Sequence, residues 1–146
     1  MYIVTGTPGT GKTTFAKNFA KEKHIKYLSG NDLIKEFDLI ETIDEKRKVN
    51  VIDENKFATV CEKIIKELNQ NKEEAIFDSH LSHFIDPKLI DVCFVTHCKI
   101  EELNKRLKNR NYSEDKIKEN IESEIFKICE IEAKEFGHNI KIINTD

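Results

Sequence analysis

The feature that most constrains this chain is a glycine-rich segment that starts at residue 6. Residues 6–13 read GTPGTGKT and match the pattern G-x-x-x-x-G-K-[S/T] at every fixed position. The segment follows a short apolar run, residues 2–5, and precedes residues 12–23, in which apolar residues recur at helical spacing. A glycine-rich turn between a buried strand and an amphipathic helix is typical of a phosphate-binding loop.

The residue types in this loop are those that binding a nucleoside triphosphate requires. Glycines let backbone N–H groups approach phosphate oxygens with no Cβ in the way, and the N-terminus of the following helix adds positive partial charge. We expect Gly9, Gly11, Lys12, Thr13 and Thr14 to bind the triphosphate. Lys12 would reach the β- and γ-phosphates, the Thr13 hydroxyl would hold Mg²⁺, and Thr14 would reach the α-phosphate.

The rest of the chain alternates between strand-like and helix-like segments. Apolar runs predict strands, and 3.6-residue periods predict helices, including one long helix that a Ser113 cap opens and Gly137 ends. Residues 38–53 show no clear pattern. The other predicted strands are 25–28, 75–78, 91–96 and 140–143, and the other predicted helices are 32–37, 54–70 and 100–110. This alternation predicts a single domain, residues 1–146: a three-layer α/β P-loop NTPase with a five-stranded parallel sheet and helices on both faces.

A P-loop enzyme also needs a carboxylate at the end of a neighbouring strand to hold Mg²⁺. Asp78 ends the apolar run 75–77, whereas its rival Asp91 begins a strand. Ligands bind at the carboxyl ends of parallel strands, so Asp78 is favoured as the metal residue beside Thr13. His80 follows two residues later, and its near-neutral reference pKa suits it to orient a water or accept a proton.

Composition excludes several other classes of protein. The net charge of −3 gives no field for non-specific nucleic-acid binding, and we expect no direct sequence-specific contact with nucleic acid. No apolar run reaches the ~18 residues that a membrane span needs. Residues 1–4 lead directly into the loop, leaving no room for a signal peptide, so we expect a cytoplasmic protein.

The cysteines form no CxxC pair and are expected to be buried thiols. They are Cys61, Cys93, Cys98 and Cys129.

The loop occurs in several classes of P-loop protein, and two observations reduce the number of classes that fit this chain. The Asn-Lys-x-Asp element of GTPases is absent, because residues 71–74 lack the Asp and precede the Asp78 strand. The small size and the polar segment 29–52 favour a nucleoside monophosphate kinase, which must neutralise two polyanions with cations. Of 24 basic residues only three are arginines: Arg47, and Arg106 and Arg110, which fall where a lid would lie.

These residues together resemble one family, adenylate kinase isoenzyme 6 and its archaeal relatives. The resemblance covers nearly the whole chain, and residues 120–126 are its most specific part because phosphate chemistry does not require them. The other matching segments are residues 6–14, 32–33, 51–54, 78–80 and 106–112.

The resemblance implies a broad-specificity kinase that converts ATP and AMP to two ADP and has intrinsic ATPase activity. It implies a monophosphate-binding part at about 29–52 and a short lid at about 109–119, with Arg110 binding ATP and acting in catalysis beside Lys12. Asp78 and His80 would form the Walker B pair, with His80 in the water reaction. Lys35 stands where relatives often carry Arg, which predicts weaker acceptor binding. Asn111 replaces a usual Gly and tolerates positive φ.

The resemblance also implies a role in late maturation of the small ribosomal subunit, including 16S rRNA processing, through ribosomal protein uS11 and pre-30S particles. Two alternatives stay open: an ATP-driven assembly chaperone whose kinase activity is incidental, and a kinase for another monophosphate such as CMP. A basic partner would be attracted by acidic residues of the last helical region. These are Glu119, Glu122, Glu124, Glu130 and Glu132.

Overall fold

The structure is a computed structural model that describes residues 1–45 and 49–146. Its strands are β1 (Tyr2–Thr5), β2 (Lys26–Ser29), β3 (Ile40–Asp44), β4 (Val49–Ile52), β5 (Ala75–Asp78), β6 (Val92–His97) and β7 (Ile140–Asn144). Five of them form a parallel sheet in the order β2-β5-β1-β6-β7. The predicted α/β fold with a five-stranded parallel sheet is therefore confirmed.

Helices cover both faces of this sheet. They are α1 (Lys12–Lys23), α2 (Gly30–Glu36), α3 (Glu54–Gln70), α4 (Ile100–Asn109), α5 (Glu114–Ile125) and α6 (Ile128–Phe136), with short 3-10 turns at Ser82–Phe84 and Pro87–Leu89. The bounds of α1 and α3 match the predicted helices at both ends. In α3 the carboxylate of Asp53 caps the N-terminus by accepting from the backbone N–H groups of Asn55 and Lys56.

The two faces of the sheet pack against different helices because successive strand residues point to opposite sides. On one face, Val4, Ile76 and Phe94 contact α1 through Ala16 and Ala20. The other face carries the larger core, in which α2, α3 and α6 pack on the strands. Its fully buried members include Ile3, Phe57, Cys61, Ile65, Phe77 and Val95.

The cysteine prediction is confirmed in its main part. Cys61, Cys93 and Cys98 are buried, Cys129 is partly buried, and all four are free thiols. Burial raises the pKa of Cys61 and of Cys93 to about 12, so both stay protonated at neutral pH.

An antiparallel hairpin, β3 with β4, occupies most of the segment in which the sequence showed no clear pattern. It lies inside the predicted monophosphate-binding part, residues 29–52. Arg47 lies outside the described residues. On the hairpin stem Glu41 accepts a hydrogen bond from Lys56 of α3 at 3.0 Å, which ties β3 to that helix.

The single long helix predicted from Ser113 to Gly137 is wrong: the chain forms two helices there. Ser113 caps α5 as expected, accepting from the Lys116 N–H at 3.2 Å. The helix ends at Ile125, and Lys127 takes a left-handed φ of 53° before α6 begins. The break lets α5 pack on α4 through Ile117 and Ile121, while α6 packs on the sheet through Ala133.

None of the helices within the described residues is long and apolar enough to cross a membrane. This agrees with the absence of a long apolar run in the sequence.

Candidate functional site

The phosphate-binding loop connects β1 to α1 at the carboxyl end of the central strand. Gly9 has a φ of 93°, and a Cβ there would lie 2.9 Å from Leu103 Cδ1 and 3.0 Å from Leu107 Cδ2. The position therefore needs glycine both for backbone conformation and for space against α4. Gly11 directly precedes Lys12, the first residue of α1, so the loop leads into the positive end of a 12-residue helix.

Lys12 is folded over the loop. Its ammonium group donates to the carbonyl oxygens of Gly6, at 2.9 Å, and Thr7, at 3.2 Å. Desolvation lowers the pKa of Lys12, although the nearby Cys129 and Asp78 act in the opposite direction. The ammonium group is therefore held against the loop backbone by two carbonyl oxygens.

Asp78 and Thr13 come together at the end of β5. The Thr13 hydroxyl donates to Asp78 Oδ2 at 2.7 Å, and the carboxylate is buried. The parallel register places Asp78 between β1 and β2, at the same edge of the sheet as the loop. Asp91 precedes β6 and lies at the opposite edge, where Asp91 Oδ2 contacts the N-terminal amine at 2.7 Å.

Tyr27 is a third member of this group that the sequence analysis did not identify. Its hydroxyl donates to the same oxygen, Asp78 Oδ2, at 2.6 Å. Burial and this contact with Asp78 raise the pKa of Tyr27 to about 12, so the phenol stays protonated. The available signal was modest: a tyrosine in a predicted strand that could pair with the strand ending at Asp78.

His80 lies just beyond Asp78 with its ring near Lys12. Desolvation of part of the ring, followed by the positive charges of Lys12 and His83, lowers the His80 pKa below its ordinary value, although the residue as a whole is exposed to solvent. The imidazole is therefore neutral at pH 7 and can accept a hydrogen bond from water. His83, in contrast, is buried behind the loop, with Nδ1 2.7 Å from the Thr5 hydroxyl.

A cavity of about 600 Å³ opens beside the loop. Its walls are the loop with Thr14 and Phe15, the C-terminal half of α4, and residues 143–145 at the end of β7. Arg110 lines it from the end of α4, and the side chain is exposed. A cavity of this size, bordered by apolar and amide side chains, suits a nucleoside.

The sequence placed Arg106 with Arg110 where a lid would lie, but Arg106 lies within α4 and is bound to the phosphate-binding loop. Its guanidinium donates to the carbonyl oxygen of Gly9 at 3.2 Å and to Thr145, and it pairs with Glu102 at 3.1 Å. Between α4 and α5 the predicted lid contains only a short turn. Asn111 has a φ of 59° there, as its tolerance of positive φ led us to expect.

The predicted acceptor part borders Asp78. A Cβ on Gly30 would lie 2.5 Å from Ser79 Cβ and 2.9 Å from the Asp78 carbonyl oxygen, so the start of α2 packs closely on this strand end. Lys35 is exposed on α2.

A buried carboxylate, Glu124, lies behind the loop. It accepts from the Thr7 hydroxyl and from the Cys98 N–H, each at 3.1 Å. His97 Nδ1 is 3.1 Å from Glu124, and His97 Nε2 is 2.9 Å from Glu130. The sequence analysis named Glu124 among the acids that would attract a basic partner, but Glu124 is 5% exposed and cannot contact one.

Within the described residues, no group of three or more His, Cys, Asp or Glu side chains could hold a metal ion. Thr13 and Asp78 supply two hard oxygen ligands. Mg²⁺ commonly takes few protein ligands and completes its shell with water and phosphate oxygens, so these residues fit it.

Comparison with known proteins agrees with this geometry. A family model described as an AAA domain matches residues 3–127. The chain is 38% identical over 142 residues to a Methanosarcina barkeri protein named "Putative adenylate kinase", covering 97% of this chain and 75% of that protein. It is 37% identical over 136 residues to the Saccharomyces cerevisiae protein "Adenylate kinase isoenzyme 6 homolog FAP7", covering 91% of this chain and 66% of the yeast protein.

Solved structures share the fold at lower identity. Shikimate kinase from Bacteroides thetaiotaomicron superposes with a TM-score of 0.62 at 18% identity, over 98% of this chain and 85% of that one. Deoxyadenosine kinase from M. mycoides gives a TM-score of 0.58 at 15% identity, over 99% and 91%.

Proposed function

This chain belongs to the adenylate kinase isoenzyme 6 family, and on that premise we propose that it transfers the γ-phosphoryl group of ATP to AMP. It is a kinase of the adenylate kinase type with a nucleotide-binding P-loop. The observation that carries the proposal is the convergence of Lys12, Thr13 and Asp78 at one edge of the sheet, beside a nucleoside-sized cavity.

The donor nucleotide would lie with its nucleoside in the cavity and its phosphates over the loop. Thr14 lines the cavity next to Gly11, which suits a contact with the α-phosphate. Lys12 would exchange its bonds to the Gly6 and Thr7 carbonyls for phosphate oxygens. Arg110, at the cavity rim, would bring a second cation to the triphosphate. These groups stabilise the charge that develops during transfer, and no covalent enzyme intermediate is needed.

Thr13 and Asp78 are the residues that would hold Mg²⁺. The bound cation would neutralise phosphate charge and orient the triphosphate. The Tyr27 hydroxyl fixes the orientation of the Asp78 carboxylate, so that the carboxylate stays directed at Thr13.

The acceptor would bind between residues 29–52 and the predicted lid, residues 109–119, which comprises the turn after α4 and the first part of α5. Close packing of Gly30 on Asp78 and Ser79 sets the distance between the acceptor part and the loop. Lys35 offers a point charge to the acceptor phosphate, in contrast to the bidentate fork of an arginine. Water in the acceptor position, oriented by neutral His80, would account for an intrinsic ATPase activity.

A coupled assay of ADP formation tests the proposal with AMP, CMP, GMP, UMP and no acceptor. We expect the highest turnover with AMP and none in Lys12→Ala. Highest turnover with CMP would identify a different acceptor, and equal turnover with and without AMP would make the protein an ATPase. Activity of Lys12→Ala near the wild-type rate would refute the assigned site.

We further propose that the protein acts in cytoplasmic maturation of the small ribosomal subunit through uS11. The observation that favours a basic partner is that two of the named acids, Glu119 and Glu122, are exposed on α5, with Glu114 and Glu135 as further exposed acids on α5 and α6. An ATP-driven chaperone role predicts that uS11 is recovered with the protein in one nucleotide state only. A pull-down from cell extract with ATP, with ADP and without nucleotide tests this, and recovery of no uS11 in any state would contradict it.

A further inference from the structure

The polar network behind the loop connects the phosphate-binding residues to two helices. Thr7 is a loop residue that is only 1% exposed, and hydrogen bonds hold both its backbone carbonyl and its side chain. Its carbonyl oxygen accepts from Lys12 and from the Thr10 hydroxyl, and its own hydroxyl donates to Glu124 Oε1 at 3.1 Å. Glu124 therefore contacts one of the two loop residues, Gly6 and Thr7, whose carbonyl oxygens accept from Lys12.

Glu124 is itself fixed by His97. A buried carboxylate is costly unless it is paired and hydrogen-bonded. Besides Thr7, it has the Cys98 N–H and the His97 ring as donors. Glu124 thus joins three parts of the fold: the loop, the end of β6 and α5.

The geometry of His97 specifies its charge. Nδ1 lies 3.1 Å from Glu124, and Nε2 lies 2.9 Å from Glu130. A neutral imidazole carries one N–H, so one carboxylate would face a ring lone pair. Only the imidazolium satisfies both contacts.

We infer that Glu124, clamped by a protonated His97, is a positioning residue for the phosphate-binding loop. Through Thr7 it holds the loop in the shape that accepts the triphosphate. This inference rests on the proposed function, because it assumes that ATP binds at the loop. Beyond the proposed function, it assigns a role to Glu124, which does not contact phosphate, and it predicts that ATP affinity depends on pH.

The charged groups around His97 determine the direction in which ATP affinity should change with pH. Hydrogen bonding to Glu124 raises the pKa of His97, and Glu130 adds to this effect against the lowering by burial. A raised pKa means that the clamp is complete below the ordinary value of about 6.5 and is lost as pH rises through the folded value. The surrounding groups are Glu124 of α5, Glu130 of α6 with Lys134 behind it, and the protonated thiols of Cys98 and Cys129 beside Glu124.

The test is the affinity of the full chain for a fluorescent ATP analogue from pH 6 to pH 9. Wild type is compared with His97→Arg, which keeps a cation at every pH, and with His97→Gln, which has none. The ionisation of the analogue is common to all three proteins and cancels in the comparison. Glu132→Gln is the matched control, since this acid contacts His83 and not His97.

As pH rises, we expect the ATP-analogue affinity of wild type to weaken about tenfold more than that of His97→Arg. The reason is that wild type loses the charged hydrogen bonds of His97 and His97→Arg keeps a cation. His97→Gln should bind weakly at all pH values, and Glu132→Gln should follow wild type. Identical pH profiles for wild type and His97→Arg would overturn the inference, even if His97→Gln fails to fold. Absence of ATP binding in wild type at every pH would instead refute the proposed function.

Discussion

The Tyr27→Phe substitution isolates one contact in the part of the site that we propose to bind Mg²⁺. The phenylalanine ring keeps the shape of the tyrosine and removes only the hydroxyl that donates to Asp78 Oδ2 at 2.6 Å. Thr13 remains as a donor to the same oxygen at 2.7 Å. The carboxylate therefore stays in place but loses one of its two observed donors.

The size of the effect follows from the contact. A hydrogen bond to a charged acceptor contributes about 1.5–3 kcal/mol. Tyr27 is only partly buried, so water can replace the lost hydroxyl in part, and we expect a cost at the lower end, about 1.5 kcal/mol. Expressed as affinity, this corresponds to roughly a tenfold weaker response to Mg²⁺. The effect should not vary between pH 6 and 9, because the phenol stays protonated through that range.

The assay is the Mg²⁺ dependence of ADP formation at fixed ATP and AMP. Tyr27→Phe should need about tenfold more Mg²⁺ for half-maximal rate and should approach the wild-type rate at saturation. Tyr2→Phe is the matched control, since it makes the same chemical change on a tyrosine whose ring packs on Phe19 and Phe94. Equal Mg²⁺ dependence in wild type and Tyr27→Phe, or an equal shift in both variants, would refute the role given to Tyr27.

Three further substitutions test the loop, its support and the water reaction. Gly9→Ala should lower the free energy of unfolding by about 2–4 kcal/mol, measured in urea, because it combines a positive φ with contacts under 3.1 Å to α4; an unchanged midpoint would contradict this. Leu107→Ala leaves a cavity at a fully buried position beside Gly9 and should lower the free energy of unfolding by about 2–5 kcal/mol in the same measurement. A loss under ~1 kcal/mol would show that Leu107 is not tightly packed. His80→Gln should lower ATP hydrolysis without acceptor by on the order of 10²-fold while ATP affinity is kept; unchanged hydrolysis would remove His80 from the water reaction.

Local sequence patterns predicted the elements whose partners lie in the regular layers. The helix at 54–70 has apolar residues at a steady helical period and Asp53 as its cap, so its bounds follow from short-range information. Asp78 was favoured for the metal by a general rule about strand ends, and the structure places it beside Thr13. Its role as a metal ligand remains a prediction.

The elements that were missed depend on contacts between distant residues. The β3–β4 hairpin mixes partly buried apolar residues, Ile40 and Ile52, with exposed ones, Ile43 and Val51, so its apolar residues follow no clear period. The break at Lys127 is invisible to periodicity because Ile125 and Ile128 continue the helical spacing across it. Its cause is tertiary, since α5 packs on α4 and α6 packs on the sheet.

The contacts of the site also join residues that are far apart in the sequence, so local patterns could not predict them. Tyr27 and Asp78 are 51 positions apart, and Thr7 and Glu124 are 117 positions apart. Glu124 looked like one of several acids on a solvated helix, because a single sequence does not show which helical face turns inward at a break. Only the fold brings these residues to the loop.

If this loop transfers phosphoryl groups between nucleotides, a label on the γ-phosphate of ATP must move to the acceptor. The protein is incubated with γ-labelled ATP, Mg²⁺ and AMP, and the labelled products are separated. Our account predicts that the label appears in ADP, because the β–γ bond of ATP breaks and a new bond forms to the phosphate of AMP. Label found only in inorganic phosphate, at the same rate with and without AMP, would contradict it.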